Sequence, residues 1–181
     1  MENLVDYRGY NFIFEKKKIK FDFGCAMLFF AADKFKEIHD LINPDHIYKS
    51  KDVKGIEDEP HVTLLYGLHK GVTQKEVMDI CGKYHIDELE ITEASLFTTN
   101  EDFDVLKFKA YHPVLSNMHE ELSMLPNSDK FTEYRPHVTI AYLKKEHSKD
   151  YVQLLNGKRF TIIPSEIVYS TAKGKTFRQD A

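Results

Sequence analysis

A seven-residue stretch that is suited to acid–base chemistry occurs twice in this chain of 181 residues. The copies are PHVTLLY at residues 60–66 and PHVTIAY at residues 136–142, and five of the seven positions are identical. Alternate side chains of an extended strand lie on one face, so His61 is beside Thr63, and His137 is beside Thr139. A lone His-Val-Thr is more often a structural strand histidine. The repeat instead favours a shared site built from both copies.

Two histidines and two threonines suit the cleavage of a phosphodiester. A neutral imidazole can take the proton of a nucleophile, and a protonated imidazole can give a proton to the leaving oxygen. Threonine hydroxyls can hold the phosphoryl oxygens as charge builds on them. None of the nine histidines forms an H-x-x-x-H or HExxH set, and the two cysteines have no zinc spacing. The residues therefore predict chemistry without a metal or another cofactor.

The apolar residues around each motif indicate buried strands, and helices are predicted beside both strands. Asp33 is predicted to cap a helix over 33–42, and Thr73 with Glu76 forms a capping box for a second helix. Pro113 suits the first turn of a third helix, and Ser148 is predicted to begin a fourth. Strands are predicted over 23–31, 87–98, 103–111, 159–163 and 166–171, with a polar tail after them.

The order strand, helix, motif strand, helix, strand recurs in both halves of the chain. This recurrence predicts an α+β fold with two pseudo-symmetric lobes. We expect residues 21–181 to form one two-lobed domain. Residues 1–20, rich in aromatic residues and lysine, are predicted to form an N-terminal arm. The arm either packs on the domain or reaches the cleft, where Lys20 would contact a phosphate.

Bulk properties exclude several classes of protein. The net charge of −4 gives no basic field for long nucleic acids, so we expect a small substrate. No run of apolar residues reaches membrane-spanning length, and the N-terminus has no signal-peptide pattern. Cys25 and Cys81 lie in apolar stretches and are predicted to be buried thiols. These features predict a cytoplasmic protein that does not bind membranes.

The paired His-x-Thr motifs resemble the signature of the 2H phosphoesterases, and the resemblance extends from about residue 21 to about residue 172. It implies a LigT-like fold in which one motif strand from each lobe faces a central cleft. It also implies a metal-independent reaction with His61 and His137 as general base and acid, and Thr63 and Thr139 on the phosphate. We further expect Tyr66, Tyr142 and Lys20 to contact the substrate.

The stretches FGCAML at residues 23–28 and PHVTLLYGLH at residues 60–69 most resemble the anti-CBASS phosphodiesterases of bacteriophages. Those enzymes degrade the cyclic di- and trinucleotides that bacteria use as antiviral signals. The resemblance implies cleavage of 3′–5′ bonds in the host cytoplasm and evasion of host defence. We take His61 as base and His137 as acid, although sequence does not orient the substrate. The alternatives are a 2′–5′ oligoadenylate or 2′,3′-cyclic RNA phosphodiesterase, and a non-catalytic nucleotide-binding module.

Overall fold

A computed structural model describes residues 23–51, 53, 55–131 and 133–181. The arm predicted at residues 1–20, with Lys20, lies outside the described residues, so its role and the domain boundary at residue 21 stay predictions. No helix in the described ranges is both long enough and apolar enough to span a bilayer.

The described residues form one antiparallel sheet of eight strands with four α-helices, which is the α+β class predicted. The strands are β1 (Gly24–Phe29), β2 (His61–Leu68), β3 (Leu89–Phe97), β4 (Phe103–Tyr111), β5 (His137–Lys144), β6 (Phe160–Ile162), β7 (Glu166–Ser170) and β8 (Thr176–Asp180). The helices are α1 (Lys36–His39), α2 (Gln74–Cys81), α3 (Pro113–Ser123) and α4 (Lys145–Leu154). The strand order is β6-β3-β4-β5-β2-β1-β7-β8, so the two motif strands are central neighbours.

The motif strands β2 and β5 pair with each other only at Val62 and Val138, in antiparallel orientation. Farther along β5, the edge that faces β2 forms hydrogen bonds with the loop that precedes β2. Tyr48 N of this loop donates to Tyr142 O at 2.9 Å. The far end of β2 instead meets Asn127 in an isolated bridge. Because each strand finds a different partner beyond the shared pair, the sheet opens there into a cleft.

A bulge interrupts each motif strand at the same point of the motif. Pairing with the outer neighbour skips Leu64 in β2 and Ile140 in β5. One extra residue shifts the alternation of side chains between the two faces. Tyr66 and Tyr142 therefore lie on the face of the motif threonines, whereas a regular strand would turn them to the opposite face.

Several predicted elements are confirmed. The Thr73 side chain accepts from Glu76 N at 3.3 Å, and the Glu76 carboxylate accepts from Thr73 N at 2.8 Å, which completes the capping box of α2. Helix α3 begins at Pro113, and β3 and β4 form the predicted hairpin. Cys25 and Cys81 are buried and free.

Two helix starts differ from the prediction. Helix α4 begins at Lys145 rather than Ser148, so Ser148 lies within the helix, where its hydroxyl donates to the buried Asp104 carboxylate at 2.5 Å. The segment predicted to begin at Asp33 is a 3₁₀ turn over Ala32–Phe35 followed by the short α1. Ala31 takes the cap position, so Asp33 lies inside the turn and caps nothing.

The C-terminal tail is also more ordered than predicted. The residues from Lys173 onward turn back and form β8, which pairs with β7. Gly174, at a φ of 76°, supplies the left-handed conformation of that turn, which other residues adopt at a cost. The strands predicted on either side of Pro164 are β6 and β7; β6 is one edge strand of the sheet, and β7 is second from the other edge.

Candidate active site

The cleft between the motif strands contains a cavity of about 300 Å³. Antiparallel pairing of the two motif valines places His61 across from Thr139, and Thr63 across from His137. Both valines are fully buried in the core, so the four polar side chains share the other face of the sheet. The structure therefore brings together the two histidines and two threonines singled out in the sequence.

The four residues do not contribute equally to the cavity surface. Thr63, His137 and Thr139 are among the residues that line it. His61 is 6% exposed and lies beside the cavity rather than in its lining. A substrate atom that reaches His61 must therefore enter the innermost part of the site.

Both motif histidines are oriented by the same backbone contact. His61 Nδ1 lies 2.8 Å from Glu59 O, and His137 Nδ1 lies 2.9 Å from Arg135 O. A carbonyl oxygen can only accept, so Nδ1 carries the proton in each ring. In the neutral tautomer, Nε2 then bears the lone pair and is the nitrogen that gains or loses a proton.

Aromatic rings hold both imidazoles in place. His61 stacks on Phe29, with centroids 5.1 Å apart and planes 18° from parallel, whereas His137 meets the edge of Phe97 at 5.0 Å. Burial lowers the pKa of His61, against the opposing effect of its hydrogen bond to the Glu59 carbonyl. Burial here disfavours the imidazolium because apolar rings replace its water.

The pKa of His137 is lowered to about 4. Burial is the largest cause, the hydrogen bond to the Arg135 carbonyl opposes it, and the charges of Lys107 and His61 lower the pKa further. In the free protein at neutral pH, His137 is therefore an uncharged base.

Sequence reasoning missed Lys107 of β4. Its register partner on β5 is Thr139, so its side chain lies on the cleft face, where Nζ donates to Ser95 Oγ at 2.8 Å and sits 4.4 Å from the centroid of Phe97. The alternation of Lys107, Phe108 and Lys109 does predict a polar strand face. Only the pairing of β4 with β5 identifies that face as the cleft.

Sequence reasoning also missed a stacked pair of His119 and Tyr134 between the motif strands. The two rings are 4.1 Å apart and nearly parallel. His119 Nδ1 donates to Leu64 O at 2.8 Å, and the Tyr134 hydroxyl donates to Thr63 O at 2.9 Å. These side chains bond to two carbonyl groups of β2 beyond the point where β5 pairs with it. They therefore take the place of a neighbouring strand and hold the cleft open.

The loop before β5 forms the mouth of the cavity. Phe131 there is 59% exposed, and Asp129, Glu133 and Arg135 also line the opening. Arg135 pairs with Glu133 at 2.6 Å. The mouth therefore offers an aromatic face and charges of both signs.

Tyr66 and Tyr142 both line the cavity, but they differ in accessibility. Tyr66 is half-buried, whereas Tyr142 is 3% exposed and packs against Phe103 with centroids 5.4 Å apart. Tyr66 thus offers more surface to a ligand. Substrate contact by either ring stays a prediction.

Two other histidines lie just after the motif strands. His69 is exposed, with Nε2 at 2.7 Å from Ser128 Oγ. His147 stacks on His46 with centroids 3.7 Å apart. Among the described residues, the His, Cys, Asp and Glu side chains form no group of three or more that could hold a metal ion.

Comparison with known proteins supports the fold of this chain. No family model matches the sequence, and no curated protein matches it. A crystal structure of a phosphoesterase is similar to this chain, with a TM-score of 0.51 at 15% identity, over 88% of this chain and 95% of the other. At that identity the likeness establishes a shared α+β fold.

Acid should destabilise the protein through these buried histidines. The folded pKa of His137 lies below its usual 6.5, so between pH 6.5 and about 4 the unfolded chain binds more protons than the folded one. The free energy of unfolding should therefore fall as pH drops through this range. Urea unfolding measured at pH 7 and at pH 5 should show that the free energy of unfolding falls less between these pH values in His137→Asn than in the wild type. His85→Asn, which removes an exposed imidazole, is the control; a loss equal to wild type in His137→Asn contradicts the prediction.

Proposed function

We propose that this chain is a metal-independent phosphodiesterase of the 2H type that cleaves 3′–5′ bonds of cyclic di- or trinucleotides. The observation that carries the proposal is the antiparallel pairing of the motif valines, which places two histidines and two threonines together on the face of the sheet that borders one cavity. Each imidazole is oriented with Nε2 as the proton-exchanging nitrogen. This is the arrangement that a general base and a general acid require on opposite sides of a phosphate.

Matching details in the two halves support descent from a duplicated lobe. Each motif strand has a bulge at the fifth motif position, and each motif histidine bonds to the carbonyl two residues before it. The carbonyls of the two motif prolines also accept equivalent bonds, since Phe30 N donates to Pro60 O and Ala110 N donates to Pro136 O, both at 3.0 Å. We propose that these halves are the two pseudo-symmetric lobes of a 2H fold.

The cavity favours a small nucleotide substrate. Its volume of about 300 Å³ lies at the lower end of the range for small-molecule sites. Tyr66, Phe97 and Phe131 are among its lining residues and offer rings for base stacking. The net charge of −4 does not favour a long nucleic acid. A cyclic dinucleotide signal in a bacteriophage-infected cytoplasm fits this chemistry, with evasion of host defence as the biological role.

The proposed reaction uses the 2′-hydroxyl beside the scissile phosphate. One histidine takes the hydroxyl proton as O2′ bonds to phosphorus, and the other gives its Nε2 proton to the departing O5′. Thr63 and Thr139 donate hydrogen bonds to the nonbridging oxygens, where negative charge increases in the transition state. The first products are a 2′,3′-cyclic phosphate and a 5′-hydroxyl end.

A 2′–5′ oligoadenylate or 2′,3′-cyclic RNA phosphodiesterase would use the same four residues on a different bond. A non-catalytic nucleotide-binding module is the third candidate. The orientation of both Nε2 atoms favours the enzyme, because binding alone requires no proton-exchanging pair.

A panel of substrates separates these candidates. We expect turnover of cyclic di- and trinucleotides with EDTA present, because the four side chains perform the proton transfers and hold the phosphate. The comparison compounds are 2′–5′ oligoadenylate and a nucleoside 2′,3′-cyclic phosphate, with products followed by chromatography. Preference for either comparison compound would favour the second enzyme class. Binding of every compound without cleavage would favour the binding module, and activity lost in EDTA and restored by a divalent ion would refute the metal-independent mechanism.

A further inference from the structure

The two motif histidines have different electrostatic surroundings, because a lysine on β4 acts on His137 in addition to burial. Lys107 lies across from Thr139, and its ammonium group is held by Ser95 Oγ at 2.8 Å. It lies over Phe97, the same ring that packs against His137. The lysine and this histidine therefore contact the same ring on the cleft face of the sheet.

The charge of Lys107 has no carboxylate partner at ion-pair distance in the described ranges. Burial lowers the pKa of Lys107, while Glu93 raises it and Arg135 lowers it through longer-range interactions. A half-buried ammonium without a carboxylate is costly in a stable fold. Such a group in a cleft is well suited to an anionic ligand.

The other charges around His137 do not cancel this one. Lys109, the register partner of His137 on β4, is exposed. Arg135 is paired with Glu133 at the cavity mouth. From β2, the neighbouring group is His61. The two charged groups that shift the pKa of His137, Lys107 and His61, both lower it.

The corresponding position beside His61 is apolar. Met27 of β1 lies across from Thr63, as Lys107 lies across from Thr139, and it belongs to a cluster with Cys25, Phe29 and Val168. The nearby cation is Arg178, whose guanidinium lies 5.4 Å from the centroid of Phe29.

Arg178 is neutralised by two carboxylates. It lies 3.8 Å from Glu59 and pairs with Glu166 at 2.5 Å. The buried Glu57 side chain, also on this side, accepts from Glu59 N at 3.1 Å. The His61 side of the cleft thus has Met27 where the His137 side has Lys107.

We propose that Lys107 binds a nonbridging oxygen of the scissile phosphate and keeps His137 neutral, so that His137 is the general base and His61 the general acid. This inference rests on the proposed phosphodiesterase function. It reverses the assignment expected from sequence, where the two histidines were equivalent.

The bound substrate completes the asymmetry. A phosphodiester anion favours a proton on an adjacent imidazole, and Lys107 offsets that effect only on the side of His137. The proton of O2′–H passes to His137 Nε2 as the O2′–P bond forms. The P–O5′ bond breaks, and the Nε2 proton of His61 passes to O5′. The step ends with His137 protonated and His61 neutral.

The first test removes the lysine charge. In Lys107→Met, which copies the residue found beside His61, we expect kcat/KM to fall roughly ten- to a hundredfold, as for loss of a charge-assisted hydrogen bond. The acidic limb of the pH profile and the NMR titration of His137 should both move to higher pH, because the imidazolium no longer faces a cation. Lys107→Arg should largely restore both. Lys149→Met, which removes an exposed charge from α4, should match wild type.

A purely structural role for Lys107 would lower stability without moving either titration. If neither the acidic limb of the pH profile nor the NMR titration of His137 moves in Lys107→Met, the inference is wrong. The NMR titration requires no turnover, so the two proposals can fail separately. If the His137 titration shifts but the protein cleaves no phosphodiester, the proposed function is refuted, while the effect of Lys107 on the pKa of His137 is confirmed.

A second test assigns the two histidine roles directly. Uridine 3′-(4-nitrophenyl phosphate) has a leaving group that departs as a stable anion and needs no proton. We expect His61→Ala to cleave this compound at close to the wild-type rate, because the general acid is then dispensable. His137→Ala should still lose activity, since O2′ must be deprotonated. The opposite pattern would overturn the assignment.

Discussion

Replacing His61 or His137 with alanine is expected to slow cleavage of a cyclic dinucleotide by roughly two to four orders of magnitude, the usual contribution of a general acid or base. At neutral pH the 2′-hydroxyl is a weak acid, and the 5′-oxygen is a poor leaving group. Each proton transfer therefore needs its own histidine. Initial rates at saturating substrate, with binding measured separately by calorimetry, check the result.

Two features make this experiment specific. The double variant should be little slower than the slower single variant, because the histidines act as a unit. His69→Ala is the matched control, since His69 lies just after β2 but is exposed and bonded to Ser128. We expect the control to retain wild-type rates. Near-wild-type turnover by either motif variant would exclude the two-histidine mechanism.

A cyclic dinucleotide with 2′-deoxyribose at the attacked position is expected to bind but not to be cleaved. The adjacent 2′-hydroxyl supplies the nucleophile within the substrate, and such intramolecular attack is worth effective concentrations on the order of 10⁵ M or more. Without it, the reaction must recruit a water molecule from solvent as the nucleophile. We expect the rate to fall below detection, while the natural substrate forms a 2′,3′-cyclic phosphate first.

Mass spectrometry of early products distinguishes the two routes, because the cyclic phosphate is lighter than the hydrolysed monoester by one water. A 2′-O-methyl analogue provides a second substrate that retains O2′ but lacks its proton. Rapid cleavage of either analogue would show direct attack by water. Thr63 and Thr139 would then still bind the phosphate, but the general base would deprotonate water instead of the sugar hydroxyl.

Much of the local structure is predictable from the sequence because it depends on short-range physics. The Thr73 and Glu76 capping box, the start of α3 at Pro113 and the β3–β4 hairpin all follow from residues close together in the chain. The start of α4 was predicted wrongly, because Ser148 is not a cap but lies within the helix and bonds to a distant residue. Ser148 bonds to Asp104, which lies on β4, and no local signal announces that partner.

The sequence by itself determined the chemistry available to this protein, namely two His-x-Thr pairs, each with its histidine and threonine on one face of a strand. Only the tertiary structure decided how the pairs meet. A single antiparallel match between β2 and β5 aligns them, and a bulge in each strand turns Tyr66 and Tyr142 to the same face. The pairing of β4 with β5 brings Lys107 to the cleft. Register arises from contacts between residues far apart in the chain, so repeated motifs that look equivalent in sequence acquire different electrostatic surroundings.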